Sequence, residues 1–203
     1  MLDKSIPYKS IIMRAGFDTL ASVSIPALPE GYSFRLYRRG DAAHWAATEA
    51  SVGEFASQEE ALAYFQREFL PHEELLYQRN GYILAPDGTP VATATAWFEW
   101  DGNARRACLH WVSVRPQHQG LGLGRAIVAH AMRLLAQQEF GMDAYLHTQT
   151  WSHKAIGLYL RMGFHPLKDD PSFRGKNDYF AARDLLLGVL PPETQHLFDE
   201  MSQ

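Results

Sequence analysis

Along the first half of the chain apolar positions alternate with polar ones in short runs; beyond residue 120 they switch to helical spacing. Residues 32–37 alternate in this way and predict a first core strand. Asp41 stands where it can cap a helix running to about Val52. Ser57, followed three residues later by Glu60, reads as the capping box of a second helix, to about Leu70. Residues 82–85 and 90–100 predict strands joined by the turn Pro86-Asp87-Gly88, and a second turn, at residues 100–103, leads into a strand at 107–114. From Arg125 to Phe140, Ile127, Ala131, Leu134 and Leu135 recur with the helical period, and Gly141 closes that helix. Residues 145–150 read as a strand and 153–162 as a short helix stopped by Gly163. Residues 164–167 and 179–186 read as two last strands. Residues 8–13 are compatible with a short strand, and Pro26 and Pro29 prevent regular structure from continuing toward residue 30. This order predicts one mixed α/β domain at 31–187, with an extended arm at 1–30 and a short helical tail at 188–203.

Composition narrows the class without naming an activity. The 203 residues, 46% hydrophobic and 21% charged, suit one soluble globular domain with a full core. A formal net charge of -4 favours neither nucleic acid nor an anionic membrane as partner. The single cysteine, Cys108, excludes an internal disulfide framework and suits a reducing cytoplasm. The N-terminus lacks the apolar stretch of a secretory signal, and no apolar run is long enough to span a bilayer.

The chemistry concentrates between Trp111 and Ala126. Gly120, Gly122 and Gly124 fall between a predicted strand and a predicted helix. Glycines so dense suit a backbone that turns tightly or is closely approached. The first amides of a helix have no intrahelical partners, so a loop there can gather N–H groups around phosphate oxygens. Arg125 adds a fixed positive charge at the rim. A plain strand-to-helix turn is the alternative. A P-loop needs Gly-Lys-Ser/Thr, whereas Arg125 and Ala126 follow Gly124. A dinucleotide fingerprint needs a third glycine where Arg125 stands, and its acidic residue would fall inside a helix, near Glu139.

Gln119-Gly120-Leu121-Gly122-Leu123-Gly124 resembles the Q/R-x-x-G-x-G/A signature of the GNAT acetyltransferases. It follows the strand Val112-Ser113-Val114, as it does in that family. A second segment, Ala155 to Phe164, is similar to the family's A-x-x-L-Y-x-x-x-G-F helix. Ser152 stands where the family often has Asn, and can still cap that helix. The resemblance covers about residues 32–186. It implies a mixed, mostly antiparallel sheet of six to seven strands with helices on both faces, splayed apart between its fourth and fifth strands. It also implies acetyl-CoA as co-substrate. The pyrophosphate would rest on Gln119, Gly120, Leu121, Gly122, Leu123, Gly124 and Arg125, and the pantetheine arm would pair with Val112, Ser113 and Val114.

The implied reaction is direct attack of an amine on the thioester. Tyr159 occupies the family's general-acid position; packing on the face of Ala155, Leu158 and Met162 is its alternative role. His110 is the first candidate base, Glu99 the second and a water chain the third. Cys108 lacks an evident activating partner and reads as a buried thiol. His110, His118, His147, His153 and His165 are scattered, so no metal is expected. The segment holding Trp45, Glu49, Glu54, Phe55, Tyr64 and Phe65 is expected to shape the acceptor pocket. There Glu49 or Glu54 can attract an ammonium group or simply face water. The acceptor class is a small-molecule amine, a peptide N-terminus or a lysine; a homodimer is left open. A CoA-binding regulatory module without turnover is the alternative function.

Overall fold

The computed structural model describes residues 2–101, 104–170 and 177–202. Its strands are β1 (Ser10–Ala15), β2 (Ser33–Leu36), β3 (Asn80–Leu84), β4 (Pro90–Asp101), β5 (Ala104–Val114), β6 (Ala144–Gln149) and β7 (His165–Pro166). They form one sheet in the order β2-β3-β4-β5-β6-β1-β7. Only β5 and β6 run parallel; every other neighbouring pair is antiparallel. The expected mixed, mostly antiparallel sheet is therefore present with seven strands, the upper end of the six to seven expected, and it is not closed into a barrel.

Alternation along the strands sorts the core onto two faces. Tyr82 and Trp97 point to one face, under α2 (Ala42–Val52) and α3 (Gln58–Glu68), and join Trp45, Phe65 and Phe69. Ile83, Ala96 and Leu109 point to the other face, under α5 (Leu123–Gln138), and join Ile127, Ala131 and Leu135. The side chain of Ser57 caps α3, accepting from the Glu60 N–H at 3.2 Å, and Glu60 answers by accepting from the Ala56 N–H. Asp41 precedes α2 but does not cap it by hydrogen bond. Its carboxylate instead accepts from the Arg38 N–H and forms a two-pronged ion pair with Arg35.

Several expectations change. The N-terminal segment is no arm outside the domain: β1 inserts between β6 and β7 and buries Ile11 and Met13 completely. It is followed by a helix not expected from sequence, α1 (Phe17–Ser22). A further unexpected helix, α4 (Glu73–Arg79), follows a 3-10 turn at Leu70–His72 and leads into β3. The strand expected at 164–167 shrinks to the two residues of β7. The strand expected at 179–186 is a helix, α7 (Tyr179–Leu186), whose buried residues Tyr179, Ala182 and Leu186 recur with helical spacing. The tail forms α8 (Pro192–Met201), which packs on β7 and on α6 (His153–Arg161) through fully buried Phe198, stacked on Tyr179. The turn expected at residues 100–103 lies partly outside the described residues.

One buried ion cluster ties α4 to the sheet and to the end of α5. Arg79 and Glu139 are almost wholly buried; the Arg79 Nη2–Glu139 Oε1 distance is 2.8 Å, and Arg79 Nη1 donates to the Ala96 carbonyl. Arg105 reaches the same carboxylate oxygen from β5 and lies over the Phe98 ring. Removing the carboxylate leaves the Arg79 charge buried and uncompensated. Glu139→Ala is therefore expected to destabilise the fold by about 3–5 kcal/mol in urea unfolding. A loss below about 1 kcal/mol would show that the cluster is dispensable.

Candidate active site

The parallel pairing of β5 with β6 is confined to Ala107–Ala144 and Cys108–Tyr145. Beyond those pairs β5 continues to Val114 and β6 to Gln149, so the two strands diverge toward the glycine loop. The divergence coincides with a bulge in β5. The register against β4 slips between the pairs Thr93–Ser113 and Thr95–His110, and Trp111 takes a left-handed φ of 49°. The extra residue keeps Leu109 and Val112 facing α5 and puts His110 and Trp111 toward the opposite face. A bulky residue resists that backbone conformation. Here an aromatic nest holds it: the Trp111 ring lies within 5.4 Å, centroid to centroid, of Trp45, Phe55 and Tyr64.

Two contiguous cavities open along the diverging strands. The smaller, about 240 Å³, is lined by Val112, Ser113, Val114, Gln119, Gly120, Leu123, Gly124, Ser152 and Tyr159, along with residues of α6. It gathers most of the residues expected from sequence to hold a cofactor. Leu121, Gly122 and Arg125 do not line it; Leu121 and Arg125 are exposed at the loop surface. Gly120 and Gly122 have φ of 81° and 79°, and a Cβ added at either meets nothing within 4 Å. The loop backbone thus faces open space at the start of α5, where unpaired amides and the helix dipole favour an anion. The Gln119 side chain donates to the Val114 carbonyl at 2.9 Å and ties the loop to the strand. Ser152 takes the N-cap position of α6, but the side-chain capping bond expected of it is not formed.

The larger cavity, about 420 Å³, is lined by Glu49, Glu54, Tyr64, Glu99, His110, Trp111 and Tyr159, among others. Tyr159 is 7% exposed, and burial holds its phenol well above the usual tyrosine range, so it carries its proton. His110 Nε2 and Glu99 Oε1 are 3.1 Å apart, so the two candidate bases form a pair. Glu99, Cys108 and His110 bring potential metal-ligand atoms within 4.8 Å of one another, a grouping that sequence spacing did not signal. Burial pushes the Cys108 thiol up to about 12, which leaves it neutral and a poor nucleophile.

Sequence reasoning missed the N-terminal residues of this site. Lys4 Nζ donates to the Gly53 carbonyl, the Leu2 N–H to Val52, and Trp151 Nε1 to the Ile6 carbonyl. These bonds strap residues 2–8 across the gap between the end of α2 and the start of α6, where Leu2, Lys4 and Tyr8 become lining residues. No local pattern marks such long-range contacts.

The chain matches the Acetyltransferase (GNAT) family over residues 41–164 and belongs to that family. Among individual proteins, it is 31% identical over 166 residues to a mycothiol acetyltransferase of Streptomyces bingchenggensis, covering 80% of this chain and 53% of the relative. It is 30% identical over 150 residues to one of Salinispora tropica, covering 71% and 48%. The chain thus spans about half the length of the relatives it matches. Its fold is shared with a GCN5-related N-acetyltransferase of Sphaerobacter thermophilus, at TM-score 0.59 and 23% identity over 79% of this chain and 49% of the other. A GNAT-family acetyltransferase of Colwellia psychrerythraea shares it too, at TM-score 0.59 and 11% identity, covering 79% and 54%.

Glu49 generates a pH prediction. It is fully buried; its Oε2 accepts from Ser113 Oγ at 2.7 Å, and its Oε1 has no partner. Burial, opposed by the Ser113 bond, raises its pKa from 4.5 to about 8. Between these values the folded protein holds a proton that the unfolded chain has released. Stability therefore falls as pH rises, by about 1.4 kcal/mol per pH unit in mid-window for this one group. In urea unfolding, the wild type is expected to lose stability relative to Glu49→Gln on going from pH 5.5 to pH 7.5. A difference that does not change with pH contradicts the raised pKa.

Proposed function

We propose that the chain transfers the acetyl group of acetyl-CoA to a primary amine by direct attack. The observation that carries this reading is the open seam between β5 and β6, with the glycine loop at one end and Tyr159 lining both cavities. The side of β5 that β6 leaves without a strand neighbour at Val112, Ser113 and Val114 suits the amides and carbonyls of a pantetheine arm, which would bind as an added strand in place of the Gln119 bond to the Val114 carbonyl. The loop at Gln119–Arg125 suits the pyrophosphate. The bulge at Trp111 interrupts the β4–β5 register beside the cavities, where a backbone amide would polarise the thioester carbonyl.

Tyr159 supplies the acid. Its protonated phenol stands where the two cavities meet and can hand its proton to the departing sulfur. A cleft of about 420 Å³ favours a small-molecule acceptor, and the name of the relatives points to an amine of the mycothiol kind. No helix among the described residues is long and apolar enough to cross a membrane. With Cys108 as a buried free thiol, the reading places the protein in the cytoplasm.

The test is Tyr159→Phe, which keeps the packing face and removes only the hydroxyl. Turnover, read as free thiol release with a panel of amines, is expected to drop by about 10²- to 10⁴-fold while acetyl-CoA affinity changes little. Unchanged turnover with chemistry rate-limiting would leave Tyr159 as a packing residue.

A further inference from the structure

Acyl transfer happens where donor and acceptor meet, so the groups that move protons belong at the junction of the two cavities. Of the titratable side chains that line both, one is Tyr159 and the other is Glu54. His110 and Glu99 line the larger cavity only, and they bind each other.

The local sequence explains how Glu54 gets there. Gly53 ends α2 in a left-handed conformation, φ 90°, and the Glu54 N–H donates back to the Glu49 carbonyl at 3.2 Å. The chain reverses at that point, and the Glu54 side chain turns into the junction. Several groups face it: Lys4 and Tyr8 from the N-terminal strap, Glu49 from α2, Gln149 from β6 and Tyr159 from α6. Burial raises the Glu54 pKa above its ordinary 4.5, against the opposing pulls of Gln149 and Lys4.

We propose that Glu54 is the ligand of the acceptor's ammonium group and the first acceptor of its proton, so that the substrate is a cationic primary amine whose nitrogen enters between Glu54 and Tyr159. This rests on the acetyl-transfer reading above. The ammonium group gives one proton to the Glu54 carboxylate and becomes a neutral amine. The amine nitrogen then forms its bond to the thioester carbon, and the carbon–sulfur bond breaks with its electron pair on sulfur. Tyr159 protonates that sulfur and is restored by the second proton shed from nitrogen. Glu54 releases its proton to solvent, so the net products are an amide, a thiol and one proton. Each unit by which burial raises Glu54 makes the first transfer, from an ammonium near ~10, tenfold less unfavourable.

The test reads binding and needs no known acceptor. S-(2-aminoethyl)-CoA places an ammonium group two carbons from sulfur, beside the position of the attacking nitrogen; S-propyl-CoA is its neutral counterpart. By calorimetry at pH 7.5 the wild type is expected to bind the cationic analogue about 10- to 100-fold more tightly, as one charge-assisted hydrogen bond provides. In Glu54→Gln the preference falls to within about threefold while S-propyl-CoA affinity is kept, which also shows an intact fold. Glu99→Gln and His110→Gln retain the preference. In the wild type it fades as pH falls through the Glu54 pKa, where the carboxylate takes up a proton. A wild type without the preference, or a Glu54→Gln protein that keeps it, overturns the proposal. Failure of both analogues to bind overturns the acetyl-CoA reading itself, and so is a distinct result.

Discussion

Backbone N–H and C=O groups inside a protein must find partners. The functional architecture here depends on a place inside the sheet where two neighbouring strands part. β5 and β6 pair over two residues and then part, leaving the inner edge of β5 at residues 109–114 facing a gap instead of a neighbour. A gap with one strand edge, a glycine-rich turn at its end and a helix N-terminus beyond is shaped for an extended ligand that carries amides and ends in phosphates. The bulge at Trp111 and the aromatic nest around it hold the edge in this form. Without that packing, a left-handed tryptophan in mid-strand would be a conformational cost of about 1–3 kcal/mol with nothing to offset it.

The second organising feature is a set of buried and half-buried acids around the same gap. Glu49, Glu54 and Tyr159 come from α2, the turn after it and α6, and burial raises the pKa of all three. Glu49 lines the larger cavity only; it is fully buried, and its Oε2 is held by Ser113 Oγ, which joins α2 to β5. Glu54 and Tyr159 reach the junction. A carboxylate that has lost water is a stronger base, and a buried phenol keeps its proton until a strong base such as a thiolate forms beside it. The same burial gives the junction its base and its acid.

The elements carrying short-range signals were legible in the sequence. The helix of α5, the capping box at Ser57, the glycine loop and the Tyr159 helix declared themselves through local spacing, and most of the residues read from them line the smaller cavity. What was not legible depends on distant contacts. A short strand was readable at residues 8–13, but not its place inside the sheet, which β1 takes because β6 and β7 offer it two edges. Tyr179–Leu186 has the apolar content of a strand, but its burial at Tyr179, Ala182 and Leu186 follows the helical period against β1 and α8. Glu54 read equally as an ammonium ligand or as an acid facing water, because nothing nearby in sequence reveals Lys4, Gln149 and Tyr159 around it. His110 and Glu99, read as rival bases, turn out to be partners of each other.

The central claim is that the unpaired edge of β5 and the glycine loop together form the acetyl-CoA site. Amide hydrogen exchange with and without acetyl-CoA tests it most directly, because it reads the backbone groups that the claim concerns. New protection is expected at Val112–Val114 and Gln119–Gly124 on adding acetyl-CoA, with β2 and β3 at the far edge unchanged. Protection confined to other segments, or none at saturating acetyl-CoA, would contradict it.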